Sequence, residues 1–576
     1  MIKNKYREMY TTDVNKEYVG KEVRLAGWVD STRNHGGILF ISLRDSTGIV
    51  QLITEDIEKY KDLVRESTIS VIGKVKMRIP NMINPNMKTG EVEVEIKSLE
   101  VLGPCNPVLP FEIKAPENTS EDVRLKYRYL DLRNPKHHDN IVFRSKVISY
   151  LRNLMTEMGF LEVQTPIITA SSPEGARDFI IPSRVHKGKF YALPQAPQIF
   201  KQLLMVSGFD KYFQIAPCFR DEDPRSDRLY GEFYQLDLEM SFAEQDDVLH
   251  VGSKIFYDTF TFFSDKKVSP LPFRRIPYDE AMSKYGSDKP DLRNPLIIED
   301  LTEIFKNTEF EAYKNKKISG IKVENCTFSN SGYNDILKYA ENLEFRLGYI
   351  KVNEDGSING SIAKVLSDLE KENLVNKLSL KAKDAVFFIA GEKMQKKAGQ
   401  LRTELANRLN LIDKDRFEFC IVNDFPFYEE SEDGKIEFTH NPFSMPQGGL
   451  DALNNTNPLE IKAYQYDFVC NGLEMASGGV RNHSIEILKK AFEITGYEEE
   501  EIKRKFTSLY TAFQYGAPPH AGMAPGIDRM IMLLLDEANI REVSAFPMSA
   551  SAQDLMMGSP SVVDEKQLRE SHIKIR

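Results

Sequence analysis

Cysteine is scarce in this 576-residue chain: Cys105, Cys218, Cys326, Cys420 and Cys470 lie far apart, with no CxxC pair. That excludes a zinc ribbon and a disulfide framework, and it fits a reducing cytoplasm. No apolar run reaches the roughly 18 residues that a membrane span needs, so no membrane partner is expected. Met1-Ile2-Lys3-Asn4-Lys5 leads into no apolar segment of the export type, which also points to the cytoplasm. Neither GxxxxGKS/T nor GxGxxG occurs, so the two common glycine-rich phosphate cradles are absent. A basic excess is lacking too. The net charge is −10, yet residues 1–110 hold 16 Lys and Arg against 15 Asp and Glu. The acid excess therefore lies downstream, which leaves the N-terminal end open to a nucleic-acid partner.

What is present divides into several domains, as the length requires. Residues 21–102 read as five short strands. Val23, Leu25, Gly27 and Val29 alternate, Ile38–Leu43 and Gly48–Ile53 flank a turn, Ser70–Val75 follows, and Glu91–Ile96 alternates strictly. Five strands in so short a span predict a small closed barrel of the OB type over residues 1–105. Pro104, Pro107, Pro110 and Pro116 then mark a linker, taken as 106–135. Val147, Leu151, Leu154 and Met158 keep helical spacing up to Gly159, and a strand over 160–163 is cut off by Pro166. Residues 295–415 change texture to Lys-, Glu- and Asn-rich helical patterns. They read as an inserted α/β domain that splits a main domain of 136–294 and 416–576. The expected class is α+β.

Without a glycine-rich loop, triphosphate needs rigid, always-protonated forks. Two stretches supply them. Phe219-Arg220-Asp221-Glu222-Asp223 is followed by Arg225, Arg228 and Phe233, an aromatic that could stack a purine, although a charged surface hairpin would look the same. Gly526-Ile527-Asp528-Arg529 runs straight into the apolar Met530–Leu535, and both stretches are expected to carry their arginine on a strand or strand end. Gln195, Gln198 and Lys201 fall within two helical turns and suit a small ligand with a carboxylate. A solvated helix start would look the same. Glu174 and Arg177 lie in a loop that reads as a lid or as plain surface. Asp467 and Glu474 offer the hard oxygens that Mg²⁺ prefers, or are two solvated charges. His440 is a substrate-orienting group or a satisfied structural histidine. On the barrel, Arg33, Phe40 and Gln51 could stack and read unpaired bases, unless Phe40 is simply core.

Taken jointly, these elements resemble a class II aminoacyl-tRNA synthetase of the bacterial aspartyl type, over nearly the whole chain. The helix and strand ending at Pro166 resemble its dimer-forming motif 1, Phe219–Glu222 motif 2, and Gly526–Arg529 motif 3. Residues 172–178 resemble its flipping loop, 195–201 its aspartate segment, and 295–415 its extra domain. The resemblance implies an antiparallel sheet flanked by helices that holds bent ATP, with Mg²⁺, and a homodimer. It implies that Arg220 meets the α-phosphate and the aspartate carboxylate, Glu222 the adenine amino group, Phe233 the adenine ring, and Arg529 the γ-phosphate. Asp221, Glu474, Gly526, Ile527 and Asp528 complete the ATP site, and Asp467 and Glu474 hold the metal. Lys201 and Arg481 would grip the L-aspartate side chain, with Glu174, Gln195, Gln198 and His440 around them. An amide would then leave two buried cations without a counter-ion, which would reject asparagine. Arg33, Phe40 and Gln51 would meet the anticodon of tRNA(Asp). His35, where members strict for their own tRNA often carry leucine, resembles the type that also charges tRNA(Asn). The loop Leu229-Tyr230-Gly231-Glu232-Phe233 departs from the usual Gln-Pro-Glu-Phe by one added residue and a missing glutamine, and Pro525 replaces a bulky apolar residue. An asparaginyl enzyme, a non-catalytic RNA-binding relative and another Mg-ATP ligase are the competing readings.

Overall fold

The computed structural model describes residues 3–171 and 176–575. The chain divides into two compact units, residues 1–119 and 120–576.

In the first unit, β1 (Glu22–His35), β2 (Ile38–Asp45), β3 (Gly48–Thr54), β4 (Thr68–Met77) and β5 (Val92–Gly103) close into a barrel of order β1-β2-β3-β5-β4. Alternation decides what each strand buries. Leu25, Ile41, Leu43, Leu52, Val71 and Val94 point inward and are fully buried. Phe40 stands outside this core, half-buried on the opposite face of β2. The expected linker of residues 106–135 divides at Thr119. No proline falls between Pro116 and Pro135, so helical turns at Glu121–Lys126 and Arg128–Asp131 can form and join the second unit. There Arg124 pairs with Glu542 at 2.6 Å and Arg128 donates to the Ser544 carbonyl at 2.9 Å.

The second unit is built on an eight-stranded sheet. Its elements in chain order are α1 (Pro135–Glu157), β6 (Leu161–Glu162), α2 (Gln198–Val206), β7 (Lys211–Arg220), β8 (Gly231–Ser241), α3 (Gln245–Phe263), β9 (Arg274–Pro277) and α4 (Tyr278–Tyr285). After the insertion come β15 (Phe419–Asn423), β16 (Gln465–Cys470), β17 (Leu473–Arg481), β18 (His520–Pro525) and α8 (Ile527–Leu534), numbered past the elements given below. The order is β9-β15-β16-β17-β18-β8-β7-β6. Only the two outermost pairs, β9–β15 and β6–β7, are parallel. The core lies where α1, α3 and α8 cover one face, with Phe256, Phe260, Phe419 and Phe468 packed ring against ring. The opposite face is left for polar side chains.

The insertion holds β10 (Ile298–Asp300), β11 (Ile318–Val323), α5 (Asn330–Asn342), β12 (Leu347–Val352), β13 (Ile358–Asn359), α6 (Asp368–Leu378), β14 (Ala385–Ala390) and α7 (Gln395–Arg408). Its sheet, order β10-β11-β14-β12-β13, is antiparallel throughout. Central β14 is buried on both faces: Phe387 and Ile389 meet α5 and α7, while Val386 and Phe388 meet α6. The helical texture of the sequence thus describes the covers and hides the strands between them.

Leu52→Ala, which removes a fully buried side chain from the barrel core, is expected to destabilise that unit by about 2–5 kcal/mol. Urea unfolding followed by barrel-specific probes would measure it.

Candidate active site

The polar face of the sheet floors a cavity of about 1070 Å³. Gln198, Lys201, Arg220, Glu222, His440, Asp467, Glu474 and Arg481 all line it. Residues more than 250 positions apart in sequence are brought together because β7, β8, β16 and β17 lie in one sheet.

At the cavity's base is a buried four-charge cluster. Lys201 Nζ, from α2, lies 2.7 Å from Asp237 Oδ1 and 3.3 Å from Glu239 Oε2 on β8. Arg481, at the end of β17, donates from Nε to Glu239 Oε1 at 3.0 Å and from Nη2 to Oε2 at 3.4 Å. None of the four is more than 3% exposed. Glu239 fits because its neighbour on β18 is Gly522, where a Cβ would come within 2.1 Å of Oε2. Both cations therefore already have counter-ions, which corrects the expectation that an amide ligand would leave them bare. The two carboxylates differ. Burial, reinforced by Glu239, pushes the Asp237 pKa up against the pull of Lys201. For Glu239 burial acts the same way, but Arg481 and Lys201 outweigh it and hold the pKa below its usual value. Two cations thus face two carboxylates in one buried cluster.

Above it, the amides are fixed by a relay. His520 Nδ1 donates to the Pro518 carbonyl at 2.8 Å, so its Nε2 accepts from Gln202 at 3.0 Å. Gln202 Oε1 in turn accepts from Gln198 Nε2 at 3.0 Å. Gln195 is nearly fully buried and spends its amide on the chain, donating to the Ala176 carbonyl at 2.9 Å and to Asp178 Oδ1 at 2.5 Å. It ties down the end of the loop whose earlier member, Glu174, lies outside the described residues.

Arg220 ends β7 with its guanidinium 5.0 Å over the Phe233 ring on β8. Glu222 accepts from Arg228 at 2.8 Å, and Asp221 accepts from the Tyr230 hydroxyl at 3.0 Å. Arg529 lies on α8, not on the expected strand or strand end, and is not among the residues that line the cavity. It donates to the Glu474 carbonyl at 2.9 Å and to the Asp227 carbonyl at 3.1 Å. The rest of its motif turns away: Ile527 is core, and Asp528 accepts from the Tyr234 N–H at 2.8 Å and pairs with Arg144. Gly526 donates its N–H to the Met475 carbonyl at 2.8 Å. His440 sits edge-on to Phe425, and burial, with Lys289 nearby, lowers its pKa, keeping it neutral.

Asp467 and Glu474 share a third group, Lys289, whose Nζ is 3.4 Å from each carboxylate. Burial opposes the charge on Lys289, but Asp467 and Glu474 raise its pKa. Lys289, Gln235, Asp237 and Glu239 were missed by sequence reasoning. For the last three a signal existed. Gln235, Asp237 and Glu239 alternate with Leu236, Leu238 and Met240, a polar face on a strand in which Leu236–Met240 are all buried. Lys289 sits in a charged loop with no such pattern.

On the separate barrel unit, Arg33 pairs across with Phe40, and Ser42 with Gln51, so Arg33, Phe40 and Gln51 share one outer face. Gln51 donates to Glu93 at 2.8 Å. His35 is exposed at a hairpin tip turned by Gly36 and Gly37, both with positive φ.

Glu239→Gln would leave the Arg481 charge buried without its counter-ion, and is expected to cost about 3–5 kcal/mol at neutral pH. Glu239's contribution is present above its usual value of 4.5 and is lost as pH falls through the lower folded value. The urea-midpoint gap between parent and variant should therefore narrow on the acid side.

Residues 120–550 match the family described as tRNA synthetases class II (D, K and N), and residues 23–102 match the OB-fold nucleic acid binding domain. The chain is 51% identical to the aspartate--tRNA(Asp/Asn) ligase of Rickettsia canadensis over 591 residues, covering 99% of this chain and 98% of that one. It is also 51% identical to the aspartate--tRNA ligase of Streptomyces coelicolor over 582 residues, covering 100% and 99%. Among solved structures, a putative aspartyl-tRNA synthetase from Leishmania major Friedlin superposes with a TM-score of 0.59 at 20% identity, covering 95% and 94%. Asparaginyl-tRNA synthetase from Pyrococcus horikoshii, complexed with asparaginyl-adenylate, gives 0.57 at 22%, covering 94% and 97%. Those two likenesses speak to the fold: an antiparallel sheet bearing a polar cavity, with a five-stranded barrel ahead of it. The chain belongs to the class II tRNA synthetases of the aspartate, lysine and asparagine group.

Proposed function

We propose that this chain is an aspartate–tRNA ligase that activates L-aspartate with ATP and passes it to tRNA(Asp) and tRNA(Asn). The observation that carries this is a pair of buried cations, Lys201 and Arg481, lining the same cavity as Arg220 and the Asp467–Glu474 pair. An acidic amino acid held by those cations would place its α-carboxylate toward Arg220. The nucleophile is already ionised, so no general base is required. It attacks the α-phosphorus of ATP, the bond to the leaving pyrophosphate breaks, and aspartyl-adenylate forms. Positioning and charge stabilisation supply the rate. A terminal ribose hydroxyl of tRNA then attacks the activated carbonyl and releases AMP.

In this reading Arg220 bridges the α-phosphate and the aspartate carboxylate, Phe233 stacks adenine, and Glu222 accepts from its amino group. Gln198 and His440 bound the amino-acid side, and Arg529 takes the γ-phosphate on release from Asp227. Selection against asparagine follows because a ligand carboxylate can share Lys201 and Arg481 with Asp237 and Glu239, whereas a neutral amide offers the two cations no charge. Asp467 and Glu474 would hold Mg²⁺. Their carboxylates already converge on one cationic nitrogen, and an oxygen-only donor pair of this kind suits a hard ion. When bound there, Mg²⁺ would screen the charge of the phosphates.

The outer face of Arg33, Phe40 and Gln51 suits stacking and hydrogen bonding to unpaired anticodon bases. Exposed His35 beside it, and relatives named for both tRNAs, support relaxed tRNA choice. A homodimer fits the exposed edge strand β6 with half-exposed Leu161, and Phe262 stacked on Tyr150 at the surface. A cytoplasmic setting fits five free cysteines.

The test is charging of tRNA(Asp) and tRNA(Asn) transcripts side by side, with pyrophosphate exchange on aspartate and asparagine. Exchange with aspartate alone and aspartylation of both tRNAs are expected. Exchange with asparagine would overturn the substrate, and uncharged tRNA(Asn) would overturn relaxed choice. Arg220→Ala is expected to lower the exchange rate by about 10²–10³-fold.

A further inference from the structure

The Asp467–Glu474 pair already holds a cation that belongs to the chain. Lys289 Nζ stands 3.4 Å from Asp467 Oδ2 and 3.4 Å from Glu474 Oε2, and it also pairs with Asp288. The lysine lies in the loop between α4 and β10, and Pro290 restrains the backbone just after it.

The inserted domain grips this same loop. Arg402, on α7, is 2% exposed and donates to three loop carbonyls: Asp291 at 3.0 Å, Asn294 at 2.7 Å and Leu296 at 2.6 Å. Its guanidinium lies 5.1 Å over the Tyr285 ring at the end of α4. Asn294 returns a bond from Nδ2 to the Arg402 carbonyl at 3.1 Å. The loop begins at Gly286, which packs so tightly on Gly399 of α7 that a Cβ there would lie 2.4 Å from the Gly286 oxygen. A single planar fork binding three carbonyls of one loop is a stiff clamp. It sits two residues beyond Lys289.

An ammonium and a divalent ion cannot both occupy the point where these two carboxylates converge. They need the same lone pairs, and like charges repel strongly in a partly buried site. We propose that Lys289 is a tethered cation that offsets part of the charge of the Asp467–Glu474 pair in the metal-free enzyme and competes with the divalent ion for it, and that the inserted domain positions it through Arg402. The inference rests on the reading of that pair as the Mg²⁺ site. It gives the insertion a mechanical role in the cavity. It also makes metal entry depend on the nucleotide, because triphosphate oxygens offer the displaced ammonium a new partner. Metal without nucleotide would be held weakly, and metal with nucleotide strongly.

The experiment is Mn²⁺ titration of the full chain, followed by the electron paramagnetic resonance signal of free Mn²⁺, without nucleotide and then with a non-hydrolysable ATP analogue. Lys289→Met is expected to bind nucleotide-free Mn²⁺ about tenfold more tightly than the parent, in the usual range of site-to-site coupling. Adding Glu474→Gln should remove the gain, and the ATP analogue should help the parent more than the variant. Unchanged or weaker Mn²⁺ binding by Lys289→Met, beside normal analogue-dependent binding by the parent, overturns the competition. If the parent binds no Mn²⁺ even with the analogue, the metal reading of the pair is what fails. Arg402→Lys and Gly399→Ala, checked for folding by circular dichroism, test the clamp. Each should tighten nucleotide-free Mn²⁺ binding and add nothing on top of Lys289→Met. No change, or an additive change, overturns the role of the insertion.

Discussion

Four ionisable side chains buried together set the terms for everything else in the catalytic unit. Lys201, Asp237, Glu239 and Arg481 come from α2, β8 and β17, and the carboxylate of Glu239 passes through the gap left by Gly522 on β18. Charges at this depth are tolerated only when each has a partner at close range. The cluster therefore fixes the relative placement of a helix and three strands as firmly as any apolar contact on the opposite face. It also fixes the chemistry. Burial raises the Asp237 pKa while Arg481 and Lys201 hold that of Glu239 low, so the two carboxylates of the cluster are not equivalent.

The same solution recurs around the cavity. Glu222 is engaged by Arg228, Arg529 by Asp227 and a backbone carbonyl, and Asp467 and Glu474 by Lys289. In the proposed reaction, binding would be an exchange of partners, in which these internal ion pairs open and the substrate's charges replace one side of each. Such exchange lowers the desolvation cost on both sides and favours ligands with matching charge in matching places. It also joins the insertion to the site, since the loop carrying Lys289 is clamped by Arg402 from outside the main sheet.

The barrel works by a different division. Its inward positions are filled by aliphatic side chains, and its stability needs nothing from the outer face. Arg33, Phe40 and Gln51 thereby stand outside the core, with Phe40 half-buried instead of sinking into it.

Periodicity alone settled much of this protein. Alternation in residues 21–102 marked all five barrel strands, the helical spacing before Gly159 marked α1, and the order of the arginine motifs marked the catalytic unit. Those features are local or are carried by residue types with few other uses. Tertiary structure decided what no local pattern contains: which charges become neighbours. Lys201 meets Asp237 because α2 packs against β8, and Arg481 meets Glu239 because distant strands share one sheet. Asp528, read as a ligand of ATP, is instead engaged by Arg144 and the Tyr234 N–H because α8 packs against α1 and β8. Lys289 reaches the carboxylate pair only because a domain inserted after it holds its loop in place. A side chain's chemistry is written in the sequence, but its electrostatic partner is chosen by the fold, since the interaction energy depends on distance and burial and not on separation along the chain.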